Sequence, residues 1–481
     1  MALAPSRPVG TLWLVSAQPS PPPSGTGETP TSPFARPLLL STVGSFALIF
    51  LAAFEALAVA TIMPVVTEKL HGENLYALAL AAPLATGIVG MVGAGGWSDR
   101  RGPKGPFWWG GSLFAAGLVV CGLAPDMLAF TIGRVLQGFG AGAINVTIYV
   151  LVARLYPPLL HARIFGLFAA AWVLPSLVGP FLAGAVTQLV SWHWVFLGVV
   201  ALVAVAGGVM APSLRRLPPQ DPVPDDAGTG TAGPVASRAL VPDLLRAAVI
   251  AAAVLALGTL GREPGWGAVV LVVLVALVLL LLRPLLPSGA YRLAHGLPAA
   301  IILRGVVAAA YFGAEAYLPL LLNRVYGLPV TLSGLALTTA AITWALASWV
   351  QGRFLTGTGD RRLLSSATAV VLGSLAAVAL ATGLRAPVWV IVVCWGVGGF
   401  GMGLAYPRLS TMVIRLSRPE QQGANSAALN IADSTGSAMG LVALGTLQRG
   451  EALGPLVLIL SLCAGLGGLA TFVARRSGAG T

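Results

Sequence analysis

From Arg36 onward the chain alternates between long apolar runs and short polar breaks that hold most of its Arg. About 20 apolar residues suffice for a helix to span a bilayer. The runs predict spans over 37–66, 75–98, 105–123, 127–153, 162–188 and 193–211. A polar segment, 212–241, interrupts them, and two further runs follow over 242–260 and 267–286. Six more are expected over 298–321, 331–354, 363–383, 387–411, 422–446 and 453–474. Residues 1–36 are rich in Pro, Ser and Thr and read as a disordered cytoplasmic tail. Their apolar piece, Leu12–Val15, is too short for the core of a signal peptide.

The pattern repeats itself. A shift of 261 residues takes Asp99-Arg100-Arg101 onto Asp360-Arg361-Arg362, and Gly138-Phe139-Gly140 onto Gly399-Phe400-Gly401. The same shift carries Arg154 onto Arg415 and Gly179 onto Gly440. One ungapped register of this length predicts two related six-helix halves, 37–211 and 298–475. The linker 212–241 and two extra helices over 242–286 lie between them. The expected fold class is therefore an all-α integral membrane protein of fourteen spans.

Composition and charge sharpen that reading. The 481 residues are 57% hydrophobic and 9% charged, against roughly 25% charged in a soluble domain. The net charge of +12 does not point to nucleic acid, because the cations sit in the breaks between apolar runs. With the N-terminus inside, 21 of the 28 Lys and Arg fall on the cytoplasmic side and five outside. Arg134 and Arg304 fall within spans. That asymmetry is the positive-inside signature, and it predicts cytoplasmic termini in an inner membrane. Cys121, Cys394 and Cys463 show neither a disulfide framework nor metal-ligand spacing, and the four histidines lie far apart. No metal or cofactor is expected. The chain carries no phosphate-binding Walker loop, which argues against an ATP-driven pump.

Three motifs then stand in order. Gly95–Gly105 reads GGWSDRRGPKG, with Gly95, Asp99, Arg100, Gly102 and Lys104 in a charged break between the second and third spans. The fourth span carries Arg134, Gln137, Gly138 and Gly140, and the fifth carries Gly166, Pro175, Gly179, Pro180 and Gly184. These resemble the loop, fourth-helix and fifth-helix motifs of the major facilitator superfamily, departing at Trp97, Pro103, Pro175 and Ala183. With the repeat, the resemblance covers about residues 37–475. Fourteen spans resemble its drug:proton antiporter branch. The resemblance implies a gate at the first motif and an antiporter role for the fifth-span motif. The bland alternative for the glycines is close helix packing, and for Pro180 a static kink.

Five charges fall well inside the expected spans: Glu55, Arg134, Arg304, Glu315 and Asp433. Each costs at least ~2.5–3.5 kcal/mol at mid-bilayer, so each needs a partner or a water-filled cavity. Glu55 and Arg134 are the candidates for proton coupling, since a nearby cation favours the anion while burial opposes it. A permanent structural ion pair is the alternative. Arg304 lies near a span end and is expected to snorkel to the interface. Gln137, Glu315, Asp433 and Trp395 are candidates for the substrate cavity, with the carboxylates as counter-charges or second proton sites. Glu315 lies 260 residues after Glu55, which invites pairing the two by symmetry.

The expected function is proton-coupled export of amphiphilic drugs or related small molecules by a monomer in a lipid bilayer. An exporter of an endogenous lipid or secondary metabolite is the near alternative. A lipid-modifying enzyme would want His/Asp or Ser/His chemistry at depth, and all four histidines stand at span ends. A sensor would more naturally carry a soluble output domain.

Overall fold

The computed structural model describes residues 32–217, 240–447 and 453–477, apart from 262, 264, 356, 419 and 420. Most of the expected tail (1–31) and of the expected linker (218–239) lies outside the described residues. Fourteen α-helices form within them. The first six are α1 (Arg36–Lys69), α2 (Tyr76–Arg101), α3 (Lys104–Gly122), α4 (Met127–Leu155), α5 (Pro158–Leu189) and α6 (His193–Arg215). A pair follows, α7 (Leu240–Leu260) and α8 (Gly267–Leu282). The last six are α9 (Leu297–Arg324), α10 (Val330–Phe354), α11 (Asp360–Gly383), α12 (Val388–Leu416), α13 (Gln422–Gly445) and α14 (Leu453–Ser477). Every expected span lies on one of them.

Twelve helical stretches are long and apolar enough to cross a membrane. The expectation of fourteen is thus met in helices and not in spans by that measure. α3 and α13 stand outside the set. α3 is diluted by Gly, Trp108 and Trp109, and α13 by Asn, Ser, Thr and Asp433. α13 packs against α9, α2, α12 and α7, so its polar side chains need not meet lipid.

Several boundaries differ from the sequence reading, and two of them change the picture. α2 continues through Asp99, Arg100 and Arg101, so the expected charged loop shrinks to Gly102 and Pro103. Gly102 stops the helix at φ 81°, a conformation that suits glycine, and Pro103 precedes the first turn of α3. α6 runs on through Pro212 to Arg215, because a proline removes one backbone donor without ending the ladder around it. The polar break therefore begins after α6, not at residue 212.

The first and last six helices pack by the same five pairings. α1 lies on α5 and α6, α4 on α2 and α3, and α3 on α6. α9 lies on α13 and α14, α12 on α10 and α11, and α11 on α14. The two sets meet along α5/α10 and α2/α13. α7 packs on both α2 and α13, whereas α8 packs on α7 and exposes Val269, Val272, Val273 and Leu280. Side-chain contacts close the seam at the end of the bundle where α1 stops and α2 starts. Arg324 pairs with Glu73 at 2.7 Å, and Tyr76 Oη donates to the Ala316 carbonyl at 2.7 Å. Thr331 Oγ1 donates to Gln188 Oε1 at 2.6 Å.

Candidate functional site

Glu55 on α1 and Arg134 on α4 form an ion pair inside the first six helices, 4% and 3% exposed. Arg134 Nη1 donates to the Glu55 carboxylate and, at 2.8 Å, to Gln137 Oε1. Its Nε donates to the Ala79 carbonyl of α2 at 3.2 Å. The Cys121 thiol of α3 points at Gln137 Oε1 from 3.4 Å. The guanidinium thus ties α1 and α2 to its own α4, and Gln137 extends the network to Cys121 on α3. Gln137 joins this network, and its Nε2 is buried without a partner among the described residues.

The fourth-span glycines make that approach possible. A side chain at Gly140 would collide with the backbone of Phe114 on α3, and one at Gly138 with Thr86 and Pro83 on α2. Their packing reading therefore holds.

A second, half-buried pair joins α9 to α13. Arg304 Nε donates to Asp433 Oδ1 at 2.7 Å, and Tyr406 Oη donates to the same oxygen at 2.8 Å. The guanidinium lies 3.4 Å above the Tyr406 ring centroid, and Nη1 reaches the Tyr406 carbonyl at 3.3 Å. The expectation that Arg304 snorkels to the interface is overturned. A carboxylate at hydrogen-bonding distance and an aromatic face hold the guanidinium inside the protein. The sequence reading missed Tyr406, a single hydroxyl in an apolar run with no distinguishing signal.

Glu315 is placed differently. It lies on α9 one turn beyond Tyr311 and makes no hydrogen bond or ion pair among the described residues. Its charge acts on Tyr311 and Tyr406. Those rings belong to an aromatic cluster. Tyr311 stacks on the fully buried Trp395 at 4.7 Å, and Trp344 meets Tyr406 at 5.0 Å and Tyr311 at 6.1 Å. Glu55 and Glu315 thus differ in their surroundings: one is paired, the other is not.

At the end of the bundle where α1 starts and α14 stops, Asp360 accepts from Arg408 Nε at 2.7 Å, and its other oxygen pairs with Arg415. The repeat-related acid, Asp99, has Arg154 as the charge acting on it, and Arg154 also donates to the Ser98 carbonyl at 3.5 Å. Arg100 is exposed on the last turn of α2, Gly95 is half-buried beside Val146, and Lys104 Nζ donates to the Leu217 carbonyl at 3.0 Å. The fifth-span motif lies partly on the seam between the sets. Gly184 would place a Cβ 2.7 Å from Thr331 Cα, and Gly334 of α10 sits against the Pro180 carbonyl. Gly179 faces Phe54 of α1, Gly166 has open space beside it, and Pro175 lies inside α5.

Two similarly packed sets of long apolar helices, with acid–base pairs held inside them, define a multi-pass membrane protein. The Major Facilitator Superfamily profile matches residues 45–441, and the chain belongs to that family. It is a transporter, not an enzyme. It is 26% identical over 413 residues to Multidrug resistance protein 3 of Bacillus subtilis, covering 83% of this chain and 77% of the relative. It is 23% identical over 432 residues to the multidrug transporter protein MdtP of the same organism, covering 86% and 75%. Among solved structures, the POT family transporter PepTSo superposes with a TM-score of 0.64 at 14% identity, over 90% of this chain and 96% of that one. That likeness is one of fold.

Proposed function

We propose that the protein is a proton-coupled exporter of amphiphilic drugs or related small molecules, in the fourteen-span drug:proton antiporter branch of its family. The observation that carries this reading is the buried Glu55–Arg134 pair. A carboxylate paired with a guanidinium and shielded from water can exchange a proton only when the cavity beside it opens. Protonation frees Arg134 and changes the balance between conformations. The relatives named for multidrug resistance and multidrug transport support the substrate class. Glu315, one turn beyond Tyr311 on α9, is the counter-charge for a cationic substrate, and the Tyr311, Trp344 and Tyr406 ring cluster offers it aromatic faces. Asp433, already engaged by Arg304, is a second proton site. Asp99, with Gly95, Arg100, Gly102 and Lys104, forms the cytoplasmic gate, and Gly166, Pro175, Gly179, Pro180 and Gly184 the antiporter motif.

The protein works as a monomer of two six-helix halves, 37–211 and 298–475, with α7 and α8 as extra spans. Its charge asymmetry supports an inner-membrane location with both termini cytoplasmic. The test is uptake of a fluorescent cationic amphiphile into inverted vesicles with and without an imposed pH gradient. Accumulation that follows the gradient supports the reading, and accumulation indifferent to it overturns proton coupling.

A further inference from the structure

At the end of the bundle where α1 starts and α14 stops, a cleft of about 430 Å³ opens between α3 and α6, lined by Lys104, Trp108, Ala211, Leu214 and Arg215. Lys104 and Arg215 are exposed at its mouth. Lys104 spends one donor on the Leu217 carbonyl and keeps two N–H groups. Arg215 has no carboxylate partner among the described residues. Trp108, 46% exposed, forms one wall, and the exposed Trp97 and Trp109 stand nearby with their rings 6.4 Å apart. Tryptophan and cations together at a span end mark the headgroup level of a bilayer.

Beyond the cations, small residues continue along both helices. Gly208, Ala211 and Arg215 recur at helical spacing on α6, as do Lys104, Trp108, Gly111 and Ala115 on α3. Gly111 and Gly208 have open space where a side chain would stand. Positive charge at headgroup depth with a small-residue trough beneath it fits one molecular shape, a phosphate carrying an acyl chain.

We propose that this cleft binds the phosphate of an anionic phospholipid between Lys104 and Arg215, with one acyl chain lying between α3 and α6. Basic pockets between spanning helices are the general form of such sites. A free phosphate shares the headgroup chemistry but leaves the trough empty, so the lipid is the occupant.

The test is native mass spectrometry of the delipidated full chain titrated with phosphatidylglycerol or with phosphatidylcholine of matched acyl chains. Wild type is expected to retain phosphatidylglycerol preferentially. Arg215→Gln and Lys104→Gln are each expected to lower that preference roughly fivefold, the effect of one interfacial cation. Ala211→Trp, which fills the trough and leaves both charges, is expected to abolish retention of either lipid at the site. Melting in phosphatidylcholine alone checks that each variant folds. Should Lys104→Gln not fold, Arg215→Gln and Ala211→Trp decide the matter. Equal preference in wild type and variants overturns the proposal. So does displacement of the lipid by millimolar inorganic phosphate, which would assign the cleft to a free anion. Selective binding that appears only after Asp221, Asp225 and Asp226 are changed to Asn would assign the cations to the acidic segment after α6, and overturns it too.

Discussion

Arg304 meets Asp433 at 2.7 Å across α9 and α13, and no repeat-related pair answers it in the first six helices. The 261-residue register sets Val43 against Arg304 and Trp172 against Asp433. In the other direction Glu55 corresponds to Ala316, and Arg134 to the fully buried Trp395. Each set carries its own internal acid–base pair, on non-equivalent helices. The first ties α1 to α4, the second α9 to α13. The scaffold is symmetric while the placement of its internal ion pairs is not.

Glu55→Gln mimics the protonated acid. It will abolish accumulation driven by a pH gradient and spare energy-independent exchange, as read in the same vesicles. Removing one partner of a buried pair also leaves the other uncompensated, at a cost of about 3–5 kcal/mol. The melting temperature of the purified variant will therefore fall unless Arg134 is replaced as well. Concentrative uptake in a well-expressed Glu55→Gln protein would move coupling to Asp433 or Glu315.

Tyr406→Phe separates two effects at the second pair. The ring under Arg304 remains, and only the hydrogen bond to Asp433 is lost. Stability will drop by about 1 kcal/mol, the usual net worth of one hydrogen bond. Denaturant or thermal unfolding in detergent reads this. A loss several times larger would mean that the hydroxyl anchors the whole network.

Glu315→Gln will weaken binding of lipophilic cations by about tenfold, or about 1.4 kcal/mol, and leave a neutral isostere of the same shape unaffected. Equilibrium binding of the two ligands to the purified protein makes the comparison. Equal losses for both would show that Glu315 shapes the site without contributing charge recognition.

Gly140→Ala brings a methyl group against the Phe114 backbone, whereas Gly111→Ala meets open space. Overpacking of this kind costs typically ~1–3 kcal/mol. The first variant will melt lower and yield less folded protein, and the second will match wild type. A fully stable Gly140→Ala protein would mean that α3 and α4 can separate freely.

Trp266 is exposed at the turn between α7 and α8. If both helices cross the bilayer, Trp266→Cys will react with an impermeant thiol reagent added outside intact cells. Reaction only after permeabilisation would make α7 and α8 a hairpin that does not cross.

The helices were legible because a chain in lipid must satisfy its backbone within each span, leaving length and apolarity as direct signs. Even α3 and α13, the least apolar, were found from their place between neighbours of clear pattern. The Glu55–Arg134 pair was legible for a simpler reason. Each is the single charge of its sign well inside a first-half span. Arg304 and Asp433, separated by 129 residues, were not. Their meeting depends on how α9 is rotated against α13, which apolarity does not encode when both helices are buried. The continuation of α2 through Arg101 escaped notice because charge looks the same in a loop and on a helix's last turn.

The position of α7 makes the two long sides of the bundle unequal. On one side the sets touch through α2 and α13, and α7 is laid across both like a batten over a joint. On the other, α5 meets α10 with no helix playing that part. Any rocking of one set on the other must slide α2 or α13 beneath α7, while α5 and α10 part directly into lipid. One flank of the bundle is thus covered by a third helix and the other is closed by α5 and α10 alone, a handedness that the twofold repeat alone would not give.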